Sequence, residues 1–285
     1  MRSIRRAAKV AIFLALAAAA VYGAADFAGG FASRRTPAVA VVVLSQLAGV
    51  VVLAIAWSAS PGRFYASDVV WGVLGGVGGS VGIVALYAAL AVGRMGVVSP
   101  ITAVVSASVP VIVGFAAGDR PPVLGIVGVA FAFVAVSLVS ANAETRGISL
   151  TEPGLVLALL SGAGIGLLYV MLARGHPDAG FTLLAIVRAT SVTLLVGYAL
   201  LRRESLRPAP GSLRLILLAG ALDMSANVLY VTSTRYGLLA IVAVLTSLYP
   251  ASTVFLARII LRETLTPIQW VGVAFAATGV ALIAA

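Results

Sequence analysis

The hexapeptide Val127-Gly-Val-Ala-Phe-Ala132 returns unchanged as Val271-Gly-Val-Ala-Phe-Ala276, each copy inside a long apolar segment. Other landmarks recur in the same order: Leu86-Tyr87 and Leu229-Tyr230, Gly96 and Gly237, Pro110 and Pro250. The chain reads as one membrane unit written twice. A duplicated membrane unit with a site between its halves is a recurring design of secondary transporters.

Composition points the same way. Hydrophobic residues make up 61% of the 285 and charged ones 10%, against roughly 45–50% and about 25% in soluble domains. A run of ~20 apolar residues crosses a hydrocarbon core of about 30 Å. Breaking the sequence at charged or Pro- and Gly-rich points gives spans near 10–32, 36–58, 67–91, 95–117 and 121–141, then near 152–173, 180–201, 212–234, 238–260 and 267–285. The expected fold is an all-α integral membrane protein of ten transmembrane helices. A first five-helix repeat occupies 1–141, a polar connector 142–152 and a second five-helix repeat 153–285. Five is odd, so the second repeat enters the membrane from the opposite side and the two are inverted.

The formal net charge is +10, yet the basic residues gather only at Arg2, Arg5, Arg6 and Lys9. Elsewhere they stand in ones and twos near span ends, as at Arg34, Arg35, Arg202 and Arg203. Loops beside anionic lipid headgroups carry this pattern, and no single basic face for nucleic acid forms. The expected partners are a small-molecule substrate and the lipid bilayer, and a monomer is compatible with both. There is no cysteine, which excludes disulfides, thiol catalysis and Cys-based metal sites. The lone His176, in an Arg-Gly-His-Pro-Asp connection, reads as a solvated loop residue. No cofactor, metal or catalytic residue is expected.

The first 25 residues imitate a secretory signal, but the apolar stretch continues through Phe31, and an uncleaved first helix is the simpler account. The basic start places both termini in the cytoplasm of a multi-pass plasma-membrane protein. Arg202, Arg203, Arg207 and Arg214 then fall outside, so the charge bias is close to a tie.

The ordered set of landmarks resembles the drug/metabolite transporter superfamily, in its EamA type. It includes Gly23 and either Gly164 or Gly166 in the first helix of each half, Pro110 and Pro250, and the link Leu261-Arg-Glu-Thr-Leu-Thr-Pro-Ile-Gln-Trp-Val-Gly272. The resemblance implies an exporter of amino acids, related metabolites or drugs, with a central cavity between two five-helix halves. The first-half counterpart of the link, Gly118-Asp-Arg-Pro-Pro122, lacks the glutamate, and Gln46 stands where an arginine is common.

Charge deep in hydrocarbon costs at least ~2.5–3.5 kcal/mol on insertion scales, so such residues face protein, water or one another. Asp26, Arg188 and Asp223 are the deep charges here. Asn227, Tyr230 and Thr234 follow Asp223 at helical spacing and share its face. Such a stripe lines a cavity or bonds helices together. A carboxylate withdrawn from water holds a proton more readily, which makes Asp223 the proton-coupling candidate. Arg188 either pairs with Asp223 or binds a substrate carboxylate. Asp26 lies roughly 9 Å from a membrane edge by helical rise, where it snorkels, pairs with Arg34, or joins Tyr22 in lining the cavity. Ser106 and Tyr249 stand close to Pro110 and Pro250 in the fourth and ninth helices, and each proline bends its helix or frees a carbonyl for a ligand. The third-helix glycines Gly72, Gly75, Gly76, Gly78, Gly79 and Gly82 serve close helix packing.

The function that follows is secondary transport by alternating access, exporting small metabolites such as amino acids or drug-like compounds through a cavity between the repeats. An intramembrane enzyme would need a cluster of nucleophiles or metal ligands that one loop histidine and scattered acids do not supply. A non-catalytic membrane scaffold or a lipid-carrier flippase subunit is the alternative.

Overall fold

The computed structural model describes residues 2–92, 95–139, 153–261 and 266–284. The connector expected over 142–152 lies outside them, as do Arg262 to Leu265 of the acidic link. Among the described residues the regular structure is helical, without strands. Apolar segments of this length bond their backbone internally because hydrocarbon offers no other partner.

The first five helices are α1 (Arg2–Ser33), α2 (Ala38–Ala59), α3 (Ala66–Val92), α4 (Met95–Ala116) and α5 (Val123–Val139). Then come α6 (Pro153–Ala173), α7 (Thr182–Arg202), α8 (Leu213–Thr234), α9 (Leu239–Thr246), α10 (Tyr249–Leu261) and α11 (Pro267–Ala284). Prolines open α6 and α11, where a missing N–H leaves nothing unsatisfied. Among the described residues α1, α2, α3, α6, α7 and α8 are long and apolar enough to cross a membrane. Shorter apolar stretches cover Ile101–Ala116, Val123–Ala135 and Leu239–Thr253.

The span expected as one helix near 238–260 is two, α9 and α10, separated by a turn at Ser247 and Leu248. Pro250 has no N–H to give the Thr246 carbonyl one turn earlier, so the helical ladder loses a bond there. Pro110 removes the same bond from α4, yet α4 stays continuous.

The helices pack mainly across the midpoint of the chain. The largest interfaces set α3 against α6, α1 against α8, and α5 against α11; α4 on α6, α2 on α8 and α3 on α7 come next. Glycine makes the closest of these approaches possible. A Cβ on Gly164 of α6 would sit 2.6 Å from the Gly78 carbonyl oxygen and 2.8 Å from the Gly82 nitrogen, both on α3. Gly220 of α8 likewise meets the backbone of Ser45 on α2. The two copies of the repeated hexapeptide also touch: the rings of Phe131 and Phe275 stack with centroids 5.0 Å apart and planes 23° from parallel.

Large apolar side chains remain on the outside, among them Phe13, Val51, Ile55, Trp57, Leu201, Leu218 and Trp270. Exposed apolar surface this widely spread suits contact with lipid and would be a liability in water.

The crossing of α3 and α6 yields a directional test. Gly164→Ala should destabilise the protein by at least about 1 kcal/mol, because the atoms in the way are backbone and cannot rotate aside. Gly197→Ala on α7, where nothing lies within 4 Å of the added carbon, should be neutral or stabilising by up to about 1 kcal/mol through helix propensity. Thermal unfolding in detergent reads both; equal behaviour of the two variants would deny the close crossing.

Candidate functional site

Residues of both halves surround a cavity of about 800 Å³, counting its open mouth. From α1 come Tyr22 and Asp26, one helical turn apart; from α7, Arg188 and Ser191; from α8, Asp223, Met224 and Asn227. Ser45 and Gln46 of α2, Tyr87 of α3, Tyr169 of α6 and Tyr249 of α10 complete the polar lining. Gly76 and Gly79 of α3 also line it; a Cβ on Gly76 would meet Thr190 and the Val187 carbonyl of α7, so this glycine lets α7 approach α3.

The charges are arranged unequally. Arg188 is buried, and its Nη2 donates to Asp223 Oδ2 at 2.8 Å. The same nitrogen lies 4.0 Å from the Met224 sulfur, while Arg188 Nε finds no acceptor. Of the two roles open to Arg188, the ion pair is the one formed. Gln46, which matches Arg188 in the first half, donates from Nε2 to Ser191 Oγ at 2.8 Å. Ser80 Oγ, matching Asp223, lies 2.7 Å from the same Ser191 hydroxyl. A neutral bridge thus stands where the second half has an ion pair. Gln46 Oε1 and the hydroxyls of Tyr22 and Tyr249 are buried without a well-formed hydrogen bond.

Asp26 is only 9% exposed and lines the cavity beside Tyr22. The face of α1 that it occupies turns inward, which is the cavity-lining role among those expected of it. The charges that meet the cavity therefore come from both halves.

The expected stripe on α8 divides. Asp223 and Asn227 reach the cavity, and Asn227 Nδ2 donates back to the Asp223 carbonyl at 2.8 Å. Tyr230 does not line it: its ring stacks on Tyr169 at 4.5 Å and its hydroxyl donates to the Tyr169 carbonyl at 3.1 Å. Tyr230 thus backs a wall residue rather than forming the wall. Thr234 lies beyond, among the loop residues around Arg235. Ser106 is also off the cavity, fully buried with its hydroxyl donating to the Ala103 carbonyl at 3.1 Å. Tyr22, Asp26, Arg188, Asp223, Asn227 and Tyr249 of the nominated residues are brought together. Sequence reasoning missed Tyr169 and Ser191, and used Tyr87 only as a repeat landmark. A tyrosine in mid-span is itself a signal, since its hydroxyl needs a polar neighbour.

Loop contacts tie the helix ends. The backbone N–H of His176 donates to buried Asp68 at 3.1 Å and its ring stacks on Tyr65 at 3.6 Å, while its side chain stays 39% exposed, so this is a partly solvated loop residue. Arg235 donates to the Gly180 carbonyl and lies 5.4 Å from the Phe181 ring centre; partial burial lowers its pKa from the usual guanidinium value. Among the described residues no group of three His, Asp or Glu side chains is placed to hold a metal ion.

Residues 152–285 match the EamA-like transporter family. The match is to the second half of the chain, 134 of its 285 residues. This match and the long apolar helices among the described residues point to a multi-pass membrane protein similar to EamA-like transporters. The EamA-like half supplies Arg188, Asp223, Asn227 and Tyr249, and the preceding half supplies Tyr22, Asp26, Gln46 and Tyr87. Comparison with curated proteins finds no match. One solved crystal structure superposes over 95% of this chain and 97% of its own with a TM-score of 0.74, at 16% identity. At that identity the likeness speaks for the fold alone.

The ion pair has a measurable signature. Removing either partner leaves the other charge poorly compensated, which for buried pairs costs about 3–5 kcal/mol; Asp223 is 23% exposed at its side chain, so a smaller loss is expected. Arg188→Met and Asp223→Leu should each destabilise, and the double variant should lose less than their sum, with a coupling of roughly 1–3 kcal/mol. Additive unfolding energies in detergent would mean that the pair contributes nothing.

Proposed function

We propose that this chain is a secondary transporter that exports a small metabolite by alternating access, the two halves acting as inverted five-helix repeats around the central cavity. The observation that carries this reading is the cavity itself: a largely apolar chamber built from both halves, with its ionisable side chains turned inward. Charge deep in a membrane protein marks a substrate or ion path by default.

Two features support a two-fold relation between the halves, which the odd number of helices expected in each would make an inverted one. Packing partners exchange between halves: α3 pairs with α6 as α8 pairs with α1, and α2 pairs with α8 as α7 pairs with α3. Residues equivalent under a two-fold rotation meet themselves only on the axis, and Phe131 stacks on Phe275. Opposed units of this kind rock against each other about a midplane site. In that motion the Arg188–Asp223 pair is the contact a polar substrate competes for, and the break between α9 and α10 gives the second half a joint. Plasma-membrane placement with cytoplasmic termini belongs to the same proposal.

Reconstituted protein tests it. The wild type should move at least one amino acid, amine or related metabolite across liposomes, and Asp223→Asn should slow that flux at least tenfold while the protein stays monodisperse. No flux in either direction, with and without a pH gradient, would remove the transport reading; wild-type flux in Asp223→Asn would make Asp223 structural.

Topology has its own check, because the chain holds no cysteine and a single one introduces no background. Ser205→Cys should react with an impermeant maleimide from outside intact cells, and Asp178→Cys only after permeabilisation. The reverse pattern would invert the orientation.

A further inference from the structure

Three ionisable acids and bases face the cavity: Asp26, Arg188 and Asp223. Arg188 and Asp223 neutralise each other at 2.8 Å. That leaves Asp26, 91% buried by its 9% exposure, and no other arginine or lysine among the described residues lining the cavity. Asp26 and Asp223 are within electrostatic reach of one another, so the chamber as a whole has more carboxylate than cation. A carboxylate enclosed by apolar surface is costly unless it takes up a proton or an opposite charge joins it.

The surroundings say what form that charge takes. The phenols of Tyr87, Tyr169 and Tyr249 are near enough to Asp26 to feel its charge, and Tyr22 precedes it by one helical turn. Aromatic faces attract organic ammonium groups. Hard metal cations want six or more oxygen ligands at short range, which this largely apolar wall of Ile83, Leu168, Leu184 and their neighbours does not offer. Gln46 Oε1 and the hydroxyls of Tyr22 and Tyr249, buried without a well-formed hydrogen bond, add acceptors for N–H donors. A substrate carboxylate fits less well than an ammonium, because Arg188 Nη2 is engaged by Asp223, leaving Nε as the arginine's donor without an acceptor, and two carboxylates repel it.

We propose that the cavity takes a substrate bearing an ammonium group on an apolar, ring-sized body, with Asp26 as its counter-ion and the surrounding tyrosines as its wall. The proposal rests on the transport reading only for calling this ligand a substrate. Arg188 and Asp223 then hold the chamber's shape and gate it, and recognition of charge belongs to α1.

Equilibrium binding to the full chain in nanodiscs, with no gradient, tests this separately from flux. Three probes of one chain length suffice: 3-phenylpropylammonium, neutral 3-phenylpropanol and 3-phenylpropanoate. The ammonium should bind saturably, at least tenfold tighter than the alcohol, with the carboxylate weakest. Asp26→Asn should weaken the ammonium at least tenfold and leave the alcohol unchanged, which also reports an intact cavity; Asp26→Glu should retain the ammonium. Absent ammonium binding, an alcohol or carboxylate that binds as well, or an Asp26→Asn variant that binds the ammonium like wild type would each overturn the proposal. If Asp26→Asn fails to fold, the wild-type order of the three probes decides alone. Ammonium binding without flux would sink the transport reading and leave this one standing.

Discussion

The structure depends on backbones touching where side chains are missing. Lipid tails are as apolar as leucine, so helices in a bilayer gain little from hiding apolar surface and associate through close packing. Gly78, Gly82 and Gly164 let α3 and α6 meet main chain to main chain, and Gly220 does the same for α8 against Ser45 of α2. These crossings fix the distance between the halves. The cavity is the space beside them, and its floor includes Gly76 and Gly79 of the same glycine-rich helix.

Within that frame the two halves are alike in packing and unlike in charge. Gln46, Ser80 and Ser191 form a neutral bridge in the register where Arg188 and Asp223 form an ion pair. Both hold α2 or α7 against a neighbour, so both serve the shape of the chamber. A neutral bridge is cheap to break and remake; a charged one needs an incoming polar group or water to take its place. Asp26 on α1 adds a carboxylate without an arginine partner, and the chamber becomes polarised across the join rather than along either half.

Much of this was legible in the sequence, for reasons that are local. The observed helices agree with the expected spans to within a few residues, apart from the N-terminal extension of α1, because apolar length and Pro, Gly or charged punctuation act within one segment. The break between α9 and α10 was not legible. Pro110 and Pro250 remove the same hydrogen bond, and only the packing around each decides between a continuous helix and a turn. Helical spacing set Asp223, Asn227 and Tyr230 on one face, but not that Tyr169 from α6 would cover the third of them. Asp26 shows the same limit from the other side: the sequence allowed several surroundings for it, and the direction in which its face turns is a tertiary fact. The masking of depth by direction is why a residue count places a charge in a membrane without saying what it meets.

The stack of Phe131 on Phe275 has a mechanical meaning. When two equivalent bodies rock about a shared axis, points on the axis travel least and points far from it travel most. Under the inverted-repeat reading this ring pair is the fulcrum, with α5 and α11 as a stationary spine and the cavity helices as the lever arms. The repeated hexapeptide is then the part of the chain that stays still so that the rest can exchange positions.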